Sequence, residues 1–177
     1  KLGTGNNEFK IPTSIVIGKN GLIYVADNKA NLIKAYKQDG TAAFTFGGWG
    51  KAADGKFNAP QGLALDESNG ELYVTDLAAF DDGSNGVTAG AKVQVFDLNG
   101  TYKRSFGTYG TGDGKLIRPL DIAVDGAGKV YITDAYQAVV DLTLSIRPVA
   151  EFVCKRIFEH FARRTPSAAL VADMAAE

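Results

Sequence analysis

Residues 21–27 read Gly-Leu-Ile-Tyr-Val-Ala-Asp, and similar stretches recur twice later in the 177-residue chain. Residues 70–76 read Gly-Glu-Leu-Tyr-Val-Thr-Asp, and residues 128–134 read Gly-Lys-Val-Tyr-Ile-Thr-Asp. Each copy has a turn-forming glycine, then alternating apolar residues that predict a β-strand, and finally an aspartate. Because the copies recur at intervals of about 48 to 59 residues, they indicate a repeat protein.

Each repeat is long enough for four strands. A proline opens the first strand of every copy, at Pro12, Pro60 and Pro119. Four short strands per repeat are typical of one blade of a β-propeller. In the second repeat the alternation predicts strands at 62–66, 71–76, 92–97 and 102–107.

The turns between the first and second strands carry hairpin signals. Asn20-Gly21 and Asn69-Gly70 follow the first strands of their repeats, and Gly128 holds the same place in the third. Asn-Gly pairs favour two-residue hairpin turns in which both central residues take positive φ. We therefore expect Gly21, Gly70 and Gly128 to be structural.

The linkers between repeats are also alike. Residues 46–50, Phe-Gly-Gly-Trp-Gly, parallel residues 106–110, Phe-Gly-Thr-Tyr-Gly, and each linker then runs through Asp-Gly-Lys into an apolar residue. Together with strands that read Pro-x-Gly-x-Ala-x-Asp and Gly-x-x-Tyr-Val-x-Asp, this pattern resembles the NHL repeat, a β-propeller family.

The resemblance covers residues 4 to about 146. It implies an all-β fold, a β-propeller of four-stranded NHL-type blades with two full blades and a partial third. It implies much less about function, because propellers host unrelated activities. We divide the chain into a propeller segment, 1–146, and a tail, 147–177. The repeats of the segment occupy about 9–56, 57–115 and 116–146.

The composition changes in the tail. All 21 glycines lie at or before Gly128, whereas the only cysteine, Cys154, and the only histidine, His160, come later. Pro148 and the helical spacing of apolar residues after it predict a short α-helical C-terminal tail. This tail either docks on a propeller edge or is a sequence unrelated to the repeats.

An aspartate ends the second strand of every repeat, at Asp27, Asp76 and Asp134. A carboxylate at this place can accept backbone N–H bonds in the following turn and fix the geometry of the blade. An active site is built once per ring, whereas a blade is built several times. Repetition therefore favours a structural role for these three aspartates over a catalytic one.

Two aromatic residues, Trp49 and Tyr109, occupy equivalent positions in the linkers. Large aromatic side chains add buried area and specific ring contacts wherever two layers meet. We therefore favour packing between neighbouring blades for both residues, and keep ligand stacking as the second interpretation.

The second repeat has about eleven extra residues after Asp76. Insertions of this kind form loops on one face of a repeat protein, which is often the binding face. Phe80 at the base of the insertion either anchors the loop or contacts a partner. The insertion also holds weak calcium candidates, whose spacing departs from the Asp-x-Asp-x-Asp-Gly loop: Asp81, Asp82, Ser84 and Asn85.

The sequence contains no recognisable catalytic constellation. The repeats have no histidine, which argues against a Ser-His-Asp triad and against the zinc site of amidating lyases that share the NHL repeat. The formal net charge of −1 gives no basic excess for nucleic acid. No apolar stretch approaches the roughly 20 residues of a membrane span. We expect no enzyme activity, no membrane span and no cofactor other than, at most, calcium.

The preferred function is a non-catalytic scaffold that binds a protein or another ligand in a secreted, periplasmic or cell-surface assembly. A calcium-dependent hydrolase or lactonase-like propeller is the alternative, and RNA binding is a weaker one. A closed propeller needs about four to eight blades, so three repeats leave open edges that invite pairing with other strands. We expect a protein partner or additional blades to complete the ring, the chain being an oligomer or a fragment of a longer one.

Overall fold

The computed structural model describes most of the propeller segment and, within it, almost no helix. Within the described residues, one short 3₁₀ turn, Asn28–Ala30, is the exception. No helix in the described part of the chain has the length and apolar character needed to cross a bilayer. The predicted helical tail and the last part of the third repeat, up to about residue 146, lie outside the described residues. Those residues are 3, 5, 8–50, 53–77, 79–81, 87–110 and 113–134.

The first repeat folds into one four-stranded antiparallel sheet, the first blade. Its strands lie in the order in which they occur in the sequence, and the 3₁₀ turn connects the second strand to the third. A bulge lies near the start of the first strand, after the proline. The strands are β1 Pro12–Ile17, β2 Leu22–Asp27, β3 Leu32–Lys37 and β4 Ala42–Gly47.

The second repeat forms the same sheet with a hairpin inserted between its second and third strands. The predicted bounds 71–76 and 92–97 are confirmed, whereas the first strand begins two residues earlier than predicted and the fourth ends one residue earlier. The blade consists of β5 Pro60–Asp66, β6 Glu71–Asp76, β9 Lys92–Asp97 and β10 Tyr102–Phe106, and the hairpin of β7 Ala79–Asp81 and β8 Val87–Ala89.

The third repeat contributes two antiparallel strands within the described residues, the start of a third blade. The linker before it adds two short strands that pair in parallel. The all-β fold of four-stranded blades that the repeats predicted is confirmed. The elements are β11 Thr108–Tyr109, β12 Lys115–Leu116, β13 Pro119–Val124 and β14 Val130–Asp134.

The hairpin turns differ from the type that the Asn-Gly pairs predicted. Gly21, Gly70 and Gly128 take positive φ, of 79°, 61° and 80°, but the asparagines before Gly21 and Gly70 do not. The N–H of Gly21 instead donates to the carbonyl of Gly18 (3.0 Å), and that of Gly128 to Asp125 (3.0 Å). This is a type I turn closed by a left-handed glycine, so only the glycine needs the left-handed conformation.

The first strands of neighbouring blades lie side by side, as expected for the inner strands of a propeller. The hydroxyl of Thr13 donates to the carbonyl of Gln61 (2.8 Å) in the next blade. Between the second and third blades, a Cβ at Gly62 would lie only 2.8 Å from Cα of Asp121. Glycine is therefore required at position 62 because the two backbones approach so closely.

The first and second blades pack through apolar faces. We call the side of a blade that meets the preceding blade its leading face and the opposite side its trailing face. The rings of Phe46 and Phe96 lie 4.9 Å apart across this contact. Each large side chain fully buried here contributes about 1.5 to 3 kcal/mol. The trailing face of the first blade includes Val16, Tyr24, Ala26, Ile33, Ala35, Phe44 and Phe46, and the leading face of the second includes Leu63, Leu65, Leu72, Val74 and Phe96.

The trailing face of the second blade is apolar on β9, where Val93 and Val95 are fully buried, and ionic near the start of β6. There Glu71 is buried and accepts two hydrogen bonds from the guanidinium of Arg104, at 2.7 and 2.8 Å. The ammonium of Lys103 (2.6 Å) also binds this carboxylate. The bonds from Arg104 hold the pKa of Glu71 at about 2 despite its burial.

Candidate functional site on the inter-blade linkers

The repeated aspartates fasten each linker to the blade that follows it. Each carboxylate accepts backbone N–H bonds of 2.5 to 3.1 Å from residues just before the first strand of its own blade. We expected the donors in the turn after the second strand, so the acceptor role is found but the donors lie elsewhere. The donors are Lys10 and Ile11 for Asp27, Asn58 for Asp76, and Ile117 and Arg118 for Asp134.

In the first blade a buried lysine completes this attachment. Lys34 forms an ion pair with Asp27 (3.1 Å), with both side chains at most 1% exposed. Its ammonium also donates to the carbonyl of Glu8 in the linker and lies 5.1 Å from the ring centre of Phe9. Burial alone would raise the pKa of Asp27, but the backbone N–H bonds and Lys34 outweigh it and lower that pKa.

In the second blade Gln94 holds the position of Lys34. Its amide nitrogen donates to the carbonyl of Lys56 (2.6 Å) and to Asp76 (3.3 Å), and its amide oxygen accepts from the N–H of Gly55 (2.9 Å). Two different side chains therefore attach equivalent linkers at equivalent carbonyls. The linkers are consequently well-supported segments of the fold.

The first of these supported linkers presents a tryptophan to solvent. Trp49 forms a parallel bridge to Phe57, which is fully buried. Backbone bonds on both sides of Trp49 join Phe57 to Gly48 (2.9 Å) and to Gly50 (3.1 Å). The indole is nevertheless 63% exposed. The backbone is thus fixed by an anchored neighbour while the side chain remains accessible.

The second linker repeats this arrangement with a tyrosine. Tyr109 pairs with Leu116, which is 1% exposed, and the N–H of Gly110 donates to the carbonyl of Leu116 (3.2 Å). The ring of Tyr109 is 44% exposed. Lys115 precedes Leu116 here, as Lys56 precedes Phe57 in the first linker, and both lysines are exposed.

These exposures differ from our expectation that Trp49 and Tyr109 pack between blades. The buried aromatic or aliphatic residue of each linker is instead Phe57 or Leu116, at the end of the Asp-Gly-Lys segment. Phe57 lies 5.5 Å, centre to centre, from Phe96. Because the anchor residue already fills the space between the blades, the linker aromatic is left outside it.

The insertion of the second repeat is a hairpin in which Phe80 pairs with Thr88 and Asp81 with Val87. Of the residues that we proposed for calcium, Asp82, Ser84 and Asn85 lie outside the described residues. In the part of the chain that the structure describes, no three Asp, Glu, His or Cys side chains come close enough together to hold a metal ion.

Comparison with solved structures gives the architecture to which these blades belong. A protein of unknown function from Bacteroides thetaiotaomicron matches 76% of this chain at 20% identity with a TM-score of 0.55. A structure of a Nidogen/Laminin complex matches 71% at 21% identity with a TM-score of 0.51. The fold is that of a β-propeller. At these identities the likeness shows the fold alone.

This chain spans less than half the length of each matched protein. The chain spans 34% of the Bacteroides thetaiotaomicron protein and 40% of the chain in the Nidogen/Laminin complex. A gluconolactonase from Xanthomonas campestris matches 72% of this chain and 42% of its own at 16% identity, with a TM-score of 0.47. No protein-family model matches the sequence.

Proposed function

We propose that this chain is part of an NHL-type β-propeller that acts as a non-catalytic scaffold and binds a protein partner through its linkers, in a secreted, periplasmic or cell-surface assembly. The observation that carries the proposal is the exposure of Trp49 on a linker whose backbone is fixed by Phe57. Tryptophan and tyrosine are enriched among the residues that dominate binding energy at protein interfaces. A backbone that is fixed before binding loses little conformational entropy on association.

The surroundings of the rings specify the chemistry of the partner. Lys56 and Lys115 are exposed on the same linkers as Trp49 and Tyr109. Positive charge at the rim of an apolar anchor favours a partner that presents carboxylates around an apolar pocket. The partner surface that fits the linkers is therefore an acidic protein surface with pockets for aromatic side chains.

The alternative, a calcium-dependent hydrolase, needs carboxylates from several blades around the central channel. Within the described residues no three Asp, Glu, His or Cys side chains lie close enough together to hold a metal ion, and this favours the scaffold over the hydrolase. The mixed charge of the chain likewise argues against RNA as the partner.

The test uses Trp49 both as the anchor and as the reporter, because it is the only tryptophan in the chain. Proteins captured from a cell-surface extract by the wild-type chain are compared with those captured by Trp49→Ala. We expect a captured partner to change the fluorescence of Trp49 and to bind Trp49→Ala about 2 kcal/mol, or roughly thirtyfold, more weakly.

Leu120→Ala serves as the matched control, because Leu120 is also a large exposed apolar residue but lies outside the linkers. It should bind as the wild type does. Equal binding by Trp49→Ala, or calcium-dependent hydrolysis of esters or lactones by the purified chain, would refute the proposed function.

A further inference from the structure

Two asparagine-glycine turns of the chain share one backbone geometry. Asn20-Gly21 lies between β1 and β2, and Asn99-Gly100 lies between β9 and β10. In both turns the glycine N–H donates to the carbonyl three residues earlier, at 3.0 Å. The two glycines take φ of 79° and 84°, and both asparagines are exposed. The backbone of the two turns is thus alike, so a difference in their chemistry has to come from the asparagine side chains.

The side chain of Asn20 is held by both of its polar atoms. Its amide oxygen accepts from the N–H of Leu22 (3.0 Å), and its amide nitrogen donates to the hydroxyl of Tyr24 (2.8 Å). That hydroxyl in turn donates to the carbonyl of Leu98 in the next blade (2.8 Å). The amide of Asn20 therefore belongs to a network that joins the first two blades, and it can rotate only when these bonds break.

The side chain of Asn99 is not held in this way. Its backbone N–H donates to the carboxylate of Asp97 (2.9 Å), but its side-chain amide makes no hydrogen bond to any residue that the structure describes. In a third pair, Asn69-Gly70, the amide nitrogen donates to Asp66 (2.8 Å). A fourth pair, Asn85-Gly86, lies outside the described residues. Among the three described pairs, Asn99 is thus the asparagine whose side chain is free to rotate.

An exposed asparagine that precedes glycine can lose its amide without an enzyme or a cofactor. The glycine nitrogen gives its proton to solvent and attacks the side-chain carbonyl carbon, so that a C–N bond forms and ammonia leaves. The resulting succinimide takes up water and opens at either carbonyl, which yields aspartate or isoaspartate. Glycine has no side chain to hinder the attack and adapts its backbone to the ring. Because the asparagine side chain has to swing towards the glycine nitrogen, hydrogen bonds to that side chain oppose the reaction.

We propose that Asn99 is a modification site, which deamidates in the folded chain through a succinimide with Gly100, whereas its side-chain hydrogen bonds protect Asn20. The reaction consumes only water and releases only ammonia. It lies in a turn of the second blade and is independent of the linker aromatics that we propose for partner binding.

The turn at Asn99 cannot take the isoaspartate product without losing contacts. The carboxylate of Asp97 accepts from the N–H groups of Asn99 (2.9 Å) and Thr101 (2.8 Å), which lie on the two sides of the reacting peptide bond. Gly100 also packs against the first blade, where an added Cβ would lie 2.5 Å from Cδ1 of Phe46. Isoaspartate inserts one extra backbone atom among these contacts. The modification therefore weakens both the turn and the packing of the first blade on the second.

The experiment incubates the purified chain at mildly alkaline pH and follows deamidation by peptide mass spectrometry. Cleavage after lysine places Asn20 and Asn99 on separate peptides, 20–29 and 93–103, neither of which contains another Asn-Gly pair. We expect Asn99 to react at least about tenfold faster than Asn20, because two side-chain hydrogen bonds hold the amide of Asn20. In concentrated urea, where the chain is unfolded, the two rates should agree to within about twofold.

Two tyrosine variants separate protection by the hydrogen bonds from other effects of the fold. Tyr24→Phe removes the hydroxyl that holds Asn20 and should accelerate deamidation of Asn20 at least about threefold. Tyr131→Phe is the matched control, because Tyr131 holds the same position in the third blade and its hydroxyl donates to Asp125. It should leave the rate at Asn20 unchanged. Equal rates at Asn20 and Asn99 in the folded chain, or the same difference in urea, would overturn the proposal.

The effect of the product is measured on the isoaspartate form, separated from the unmodified chain by chromatography. It should unfold at a lower urea concentration than the unmodified chain. Asn99→Asp, which introduces the acid without the extra backbone atom, should unfold close to the wild type. An isoaspartate form as stable as the wild type would show that the turn tolerates the longer backbone, against the proposed weakening.

Discussion

Lys34 and Gln94 show how different residues can satisfy the same requirement at one position of a repeat. Both lie at the third position of a third strand. Both donate to a linker carbonyl, which is that of Glu8 for Lys34 and that of Lys56 for Gln94. Both also bind the aspartate that ends the second strand. The position therefore requires a long donor side chain, and a full positive charge is dispensable for it.

We predict that Lys34→Gln keeps the first linker attached, whereas Lys34→Met does not. Methionine fills the space but leaves the buried carboxylate of Asp27 and the carbonyl of Glu8 without this donor. The free energy of unfolding should fall by about 1 to 3 kcal/mol in Lys34→Met and by less than about 1 kcal/mol in Lys34→Gln. Urea denaturation measures both values.

Lys37→Met is the control for this pair, because Lys37 lies on the same strand but is exposed. It should change the free energy of unfolding by no more than about 0.5 kcal/mol. If Lys34→Gln destabilises the chain as much as Lys34→Met, the ion pair with Asp27 matters more than the attachment of the linker.

At the scale of elements, the trailing faces of the first and second blades differ in chemistry at two equivalent positions. Leu22 and Phe44, which pack against the second blade, correspond to Glu71 and Arg104 on the second blade's own trailing face. At these positions the trailing face of the first blade is apolar, whereas that of the second carries a charged cluster formed within the blade. The charged cluster makes the stability of the second blade sensitive to pH and salt.

We predict a stability contribution from Glu71 that disappears in acid. Its pKa is about 2 in the folded chain against an ordinary value of 4.5. A lowered folded pKa means that the contribution is fully present above about pH 4.5 and is lost as the pH falls towards 2. Because the Arg104 side chain is 49% exposed, solvent screening limits the effect to about 1 kcal/mol.

The measurement is the free energy of unfolding of wild type and Glu71→Gln between pH 7 and pH 2. The difference should be largest near neutral pH and shrink in acid, and 1 M salt should reduce it. Subtracting the variant removes the contribution of other carboxylates, such as Asp27, whose pKa is also lowered. In an Arg104→Met background the same substitution should show a smaller dependence on pH. A difference that is constant with pH would contradict the assignment.

The sequence predicted correctly the elements whose bounds are set by residues nearby in the sequence. The bounds of β6 and β9 follow from alternation between strong turn signals, so they agree with the structure. The predicted turn type was wrong because the observed turn needs only one residue, the glycine, in the left-handed conformation. The exposure of Trp49 could not be read from the linker alone, since it depends on Phe57 filling the space between two blades. The donors for Asp27 lie 16 and 17 residues away, beyond any local pattern.

At the scale of the whole molecule, the described blades leave an uncovered face at each end of the series. Ile15 and Ile17 lie on the leading face of the first blade, and Ala123 and Thr133 are exposed in the third. In the second blade, Ala64 is 6% exposed and Thr75 is fully buried at the equivalent positions. A net charge of only −1 offers little repulsion between copies. Both faces are therefore surfaces through which copies of the chain can associate.

We predict that the purified chain associates at micromolar concentration and that the leading face of the first blade carries the contact. Light scattering should give a mass above the 18.7 kDa of one chain, increasing with concentration. Ile15→Lys should weaken association by at least about tenfold, because docking would then bury an unpaired ammonium. Ser68→Lys adds the same charge at an exposed turn and should leave the mass unchanged. A folded monomer of wild type at all concentrations would contradict this prediction. If Ile15→Lys associates as strongly as the wild type, the contact lies on another surface. A contact on the leading face would bury residue 15, as Leu63 is buried at the equivalent position of the second blade.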